Sequence, residues 1–280
     1  MSAQSNPFVR VALVWAAMVA IWLALPLLRS VFWGAEGTSY SLGGHVMSAV
    51  LATALAVPMV VVARRVLDKQ SVASLGLRLD ASAVRPFLSG AVAFLLPSAL
   101  GFAIVLVLGW TSITPVASWG EILAFVPLLI VLVFIYEALP EELAFRGYIQ
   151  ANLETRLGYW GAIFAQAVLF ALWGAALWTL AAGAVALDRL VMFFFVGLVL
   201  GLVRSIAGSV WTAIGLHVAF QTVAQTLLNT ERGHFAVEGS EMMQLVALGV
   251  VPFSLAALIV EILGPKTPGL SSPAGSAAPR

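Results

Sequence analysis

Residues 137 to 146 read Glu-Ala-Leu-Pro-Glu-Glu-Leu-Ala-Phe-Arg and close a long apolar run, placing Glu141, Glu142 and Arg146 where bare charge is expensive. An ionisable group at membrane depth costs roughly 2.5 to 3.5 kcal/mol on insertion scales, so it is seldom kept without a partner and a task. On a helix Glu142 and Arg146 are four apart and can pair, while Glu141 points about 100° away. That spacing separates a structural carboxylate from one free to move a proton. Pro140 suits the first turn of a helix and predicts that a new helix or half-helix begins there. The two glutamates would then sit at the positive end of its dipole. Far along the chain, His217, Gln221 and Gln225 share one helix face inside an apolar span, and such a face needs partners within a bundle.

The elements that must position these groups are membrane helices. The chain is 61% hydrophobic and 10% charged, with a mean hydropathy of +1.03, well beyond a soluble domain. A crossing takes about 20 helical residues. Stretches of that order lie near 9–28, 43–63, 87–109, 119–138, 158–178, 187–204, 209–228 and 242–263. The sequence therefore predicts an all-α, polytopic membrane helix bundle of about eight transmembrane helices, with the sixth short, tilted or partly interfacial. Residues 1–263 form one membrane-embedded domain. The segment 264–280, rich in Pro, Gly, Ser and Ala, is expected to be a disordered cytoplasmic tail.

Eight crossings put both termini on one side. With the N-terminus cytoplasmic, Arg10, Arg64, Arg65, Lys69, Arg78, Arg85, Arg146, Arg156, Arg204, Lys266 and Arg280 lie inside, against Arg29, Arg189 and Arg232 outside. That bias favours an inner, plasma-membrane protein with both termini cytoplasmic. A net charge of +1 carries no basic field for nucleic acid. The cations from Arg64 to Arg85 read as topology determinants, diluted by Asp68 and Asp80. The absence of cysteine excludes disulfides and thiolate metal sites. Trp110, Trp119 and Trp211 read as interfacial anchors, and Trp173 and Trp178 as packing. Gly197-x-x-x-Gly201 lets another helix approach closely, within the chain or across a dimer, so the oligomeric state stays open. Gln166 reads as a buried amide in need of an interhelical partner.

The motif Glu141-Glu142-x-x-x-Arg146, followed in a later span by His217-x-x-x-Gln221, resembles the CAAX-protease and bacteriocin-processing (Abi) family of intramembrane proteases. The resemblance covers about 120–230. It implies a water activated between the first glutamate and a middle-motif histidine, attacking a peptide carbonyl. Carried over by position, Glu141 would be general base and then acid, Glu142 with Arg146 would hold the site's shape, and His217 with Gln221 would donate to the oxyanion. The chain departs from the pattern twice. The middle motif falls on Phe170-Ala-Leu-Trp-Gly174, so Gly174 stands where histidine is usual, and Gln221 replaces the usual asparagine. Zinc is the one cofactor left open, and Glu141 and His217 are its only candidate ligands, short of the usual three.

Two functions compete on these residues. One is an intramembrane endopeptidase that cleaves a hydrophobic or lipidated peptide arriving through membrane lipids, by a glutamate-activated water. The other is a catalytically weak or inactive relative that binds membrane peptides, confers immunity or acts as a scaffold. A small-solute transporter would want discontinuous helices in matching halves, and no such internal repeat is present.

Overall fold

The computed structural model describes residues 6–33, 40–184, 187–229 and 233–263. The segment 264–280, with Lys266 and Arg280, and Arg232 lie outside the described residues. The chain is a helical bundle: α1 (Pro7–Trp33), α2 (Leu42–Val62), α3 (Val84–Val107), α4 (Trp119–Val133), α5 (Leu139–Glu142), α6 (Gln150–Ala182), α7 (Leu187–Ala207), α8 (Val210–Leu228), α9 (Ser240–Met242) and α10 (Val251–Leu263). Two short strands, β1 (Ser112–Pro115) and β2 (Phe235–Glu238), pair antiparallel with Ser112 opposite Glu238. They cap one end of the bundle. At the other end lies the α2–α3 loop, with Arg10 near the start of α1 hydrogen-bonded to Asp68 and Arg85 reaching the Leu263 carbonyl at the end of α10.

Among the described residues six stretches are long and apolar enough to cross a membrane, and one of them, Trp119–Leu180, runs for 62 residues. That stretch folds back on itself at Gly158, whose φ of 67° and ψ of −173° suit only a residue without a Cβ. It therefore makes two passes. α8, with 19 residues, crosses the bundle as well, although its polar residues keep it out of those six. With these the described residues traverse the bundle about eight times. The sixth span is not short: α7 has 21 residues and qualifies on both length and hydropathy.

Pro140 does not start a helix. From α4 through α6 to Gly158 the backbone is helical without interruption, and Ala138, Leu139, Glu142 and Leu143 all have right-handed helical angles. The missing N–H is absorbed by a π-helical turn over Phe134–Ala138, in which the Leu139 N–H donates to the Phe134 carbonyl. The next carbonyl in that register, Ile135, faces Pro140 and receives no backbone donor, and the Thr53 hydroxyl of α2 donates to it instead. Glu141 and Glu142 are therefore held mid-helix, and no helix dipole end supports them. A second π-helical stretch, Leu143–Ile149, follows immediately, so the charged segment lies between two wide turns. π-bulges of this kind are frequent at functional sites.

Small residues set the interhelical distances. A Cβ on Gly90 would strike the Thr212 carbonyl, and one on Gly215 the Phe87 carbonyl, so α3 and α8 lie backbone to backbone. The Gly197–Gly201 pair makes an internal contact: a Cβ on Gly197 would lie 3.1 Å from the Cα of Ala167, and one on Gly201 would overlap the Gln166 amide. That closeness lets buried amides reach helix carbonyls directly. Gln166 donates to the Gly197 carbonyl at 2.7 Å, and Gln150 to the Gly201 carbonyl at 3.2 Å and to the Ser205 hydroxyl at 2.7 Å.

Candidate active site

The segment Tyr136–Arg146 faces α8 at the centre of the bundle. Glu142 and Arg146 are both fully buried, and Arg146 donates from Nη1 to Glu142 Oε1 at 3.0 Å, as their spacing requires. The guanidinium also stacks 4.2 Å from the Phe170 ring centre and reaches the Gly197 carbonyl at 3.4 Å. Across the gap, His217 Nδ1 lies 2.8 Å from the same Glu142 oxygen. Glu142 is therefore the hub that joins Arg146 to His217. It is acceptor-only while ionised by its pairing with Arg146, so the proton in the His217 contact sits on Nδ1.

One turn of α8 separates His217 from Gln221, and another separates Gln221 from Gln225. Gln225 donates from Nε2 to Glu137 at 2.8 Å, forming a second bridge between the same two elements. Glu141 and Gln221 lie between the two bridges in sequence on their helices. Glu141 is 6% exposed, and among the described residues no hydrogen bond reaches its carboxylate or the Gln221 amide. The charged groups that act on Glu141 are Glu137, Glu142 and Arg146. Glu137 was not singled out from the sequence, although it stands four residues before Glu141 and thus on the same side of the helix.

Gly174 is buried against α7. A Cβ there would sit 2.8 Å from the Phe193 ring, so this aromatic fills the place of a side chain at the middle-motif position. Phe145, Phe170, Trp173 and Phe193 pack edge-on or stacked into one aromatic wall behind Arg146. Trp173 also meets Trp22 of α1 edge-on, which makes packing its observed role. His45 is distant in sequence from the charged motif but lies edge-on to Tyr136, the neighbour of Glu137.

The donors do not fit a zinc ion. Among the described residues no group of three or more His, Cys, Asp or Glu side chains converges, and the pairing of His217 with the arginine-bound Glu142 draws both away from such a set.

Residues 123–223 match a family model described as Type II CAAX prenyl endopeptidase Rce1-like. The match is consistent with a CAAX-protease and bacteriocin-processing intramembrane protease, and it suggests intramembrane protease activity. The Rce1-like segment contains Glu141, Glu142, Arg146, Gly174, His217 and Gln221, and with the apolar helices it marks an integral membrane protein. A comparison with curated proteins returns no match.

Proposed function

We propose that this protein is an intramembrane endopeptidase in which Glu141 activates a water against a peptide bond of a hydrophobic or lipidated substrate. One observation supports the reading: within the Rce1-like segment, Glu141 is sheltered and among the described residues no hydrogen bond reaches it, while its neighbour Glu142 is engaged on one oxygen by Arg146 and His217. Glu141 takes a proton from water as the water oxygen attacks the carbonyl carbon. It then gives that proton to the leaving amine, which closes the cycle without a further donor. Glu142 and Arg146 keep the segment in register with α8. By the Lys/Arg distribution, both ends of the bundle's path lie on the cytoplasmic side, and the peptide approaches through the bilayer.

The phenyl ring against Gly174 favours a second reading, a relative that captures membrane peptides without cleaving them. The two separate with purified full-length protein in nanodiscs, a fluorogenic farnesylated CaaX-type peptide and an unmodified transmembrane peptide. Cleavage that is lost in Glu141→Gln and in His217→Ala, and that withstands a chelator, supports the peptidase. Binding without cleavage, equal in wild type and Glu141→Gln, would establish the capture protein instead.

A further inference from the structure

Where α3 begins and α10 ends, the two helices part on the outside of the bundle and leave a groove of about 390 Å³. Val84, Leu88 and Val92 line it from α3, and Leu263 lines it from the end of α10. The three α3 residues are spaced four apart, so they stand in one file on the helix, and Leu96 continues it. All four are exposed. At 1.5 Å per residue the file from Val84 to Leu96 rises about 18 Å, close to one leaflet of a hydrocarbon core about 30 Å thick. The Ser89 hydroxyl in the groove is spent on the Pro86 carbonyl at 2.7 Å, so the slot is apolar along its length.

Aliphatic side chains face lipid on any membrane helix; the charge at one end sets this groove apart. Arg85, in the first turn of α3, lines it, and its Nη2 reaches the Leu263 carbonyl at 3.5 Å. That contact holds the guanidinium across the gap between the helices and uses one of its five N–H donors. Among the described residues no carboxylate lines the groove. Asp80 is engaged by Arg78 and the Ser82 N–H, Asp68 is closed between Arg10 and Arg64, and Glu261 stands roughly 160° round α10 from Leu263. By the Lys/Arg distribution this end lies on the cytoplasmic side, where the leaflet carries anionic lipid.

We propose that the α3–α10 groove binds an anionic phospholipid, with its phosphate on the Arg85 guanidinium and an acyl chain along Val84, Leu88 and Val92. A planar fork of donors matches phosphate oxygens in pairs, and an apolar slot one leaflet long matches the chain. The site is independent of the peptidase reading. Its occupant braces α3 within a turn and a half of the places where Phe87 and Gly90 meet α8 backbone to backbone, and α8 carries His217.

The test uses full-length protein in nanodiscs of phosphatidylcholine, alone or mixed with phosphatidylglycerol, and reads both the thermal melt and the lipid retained on detergent extraction by native mass spectrometry. Wild type should retain phosphatidylglycerol about 5-fold over phosphatidylcholine, the effect of one cation at a membrane surface, and should melt higher when it is present. Arg85→Gln should abolish both effects while melting like wild type in phosphatidylcholine alone. Leu88→Trp fills the slot and should lower retention of either lipid. Arg65→Gln combined with Lys69→Gln removes two exposed cations from the same end and should leave the preference intact. Equal retention of the two lipids by wild type overturns the proposal, as does a preference that survives Arg85→Gln or is lost with the Arg65 and Lys69 changes, which marks a diffuse surface field. Soluble glycerol phosphate that raises the melt as far as phosphatidylglycerol also overturns it, because the slot is then idle. If Leu88→Trp fails to fold, Arg85→Gln and the glycerol phosphate arm still decide the matter.

Discussion

Two buried charge clusters in this bundle are built oppositely. At the α2–α3 loop end, Asp68 is saturated: Arg10 of α1 donates to it at 2.9 Å, Arg64 at 2.7 Å, the Tyr148 hydroxyl at 3.1 Å and the Asn152 amide at 3.1 Å. Arg64 in turn is held by Ser74 and Gln70. One acid ties together three segments of chain, α1, the end of α2 and the helix that carries Tyr148 and Asn152, and its two oxygens accept four hydrogen bonds. In mid-bundle, Glu137, Glu141 and Glu142 lie within reach of Arg146, and among the described residues no hydrogen bond reaches Glu141. Completeness marks the first cluster as a clamp on the fold, and the open carboxylate of the second is what the proposed peptidase reading draws on.

The sharpest test of this contrast is Glu141→Gln. It removes no hydrogen bond among the described residues, so it should leave the thermal melt unchanged and cut peptide cleavage by about 10²- to 10⁴-fold, the usual span of a general base. An equal loss of stability would erase the distinction between the clusters. Asp68→Ala should do the reverse. It removes the carboxylate that neutralises the buried Arg10 and Arg64, at a cost of about 3 to 5 kcal/mol, read as a lowered unfolding midpoint. The same clamp gives the bundle a pH signature. Burial alone would raise the Asp68 carboxyl, but hydrogen bonds from Arg64, Asn152 and Arg10 and the charge of Arg64 outweigh it and hold the group below the usual carboxylate range. A depressed folded value means that its stabilisation is fully present above the unfolded value of about 3.9 and fades as the pH falls below it. Wild type should therefore lose more stability on acidification through that range than Asp68→Asn, as followed by melts at stepped pH.

Smaller effects sharpen the site's side of the comparison. Gly174→Ala drives a methyl into the Phe193 ring and should destabilise by about 1 to 3 kcal/mol, relieved when Phe193→Leu is added. If the single change is silent, the aromatic wall is loose and the middle-motif position is open. Thr53→Val strips the donor from the Ile135 carbonyl beneath the π-helical turn and should cost about 1 kcal/mol. It should also lower cleavage more than that loss of stability explains, because the turn positions Glu137 and Glu141. A change in stability alone would make Thr53 part of the clamp's class of residue.

Much of this was legible in the residues. The apolar runs gave the bundle, and the four-residue spacings gave the Glu142–Arg146 pair and the shared face of His217, Gln221 and Gln225, because helical periodicity is a local property. The Pro140 expectation failed for a reason that no local pattern contains: the hydroxyl that satisfies the orphaned carbonyl comes from Thr53, some eighty residues earlier. Asp68 looked like a loop charge because its partners lie at positions 10, 64, 148 and 152, and only the fold gathers them. Phe193 gave no signal at all, since an aromatic in an apolar helix is unremarkable until its neighbour is known to be glycine.

By itself the sequence determined the solvent, the helices and the side chains able to move protons, all of which follow from composition and from spacing along one helix. Tertiary structure decided which carboxylate meets His217, which groups gather around Asp68, and what stands against Gly174. Those are distances between segments far apart in the chain, set by where glycines let helix backbones touch and by which buried polar atoms must find partners once water is excluded.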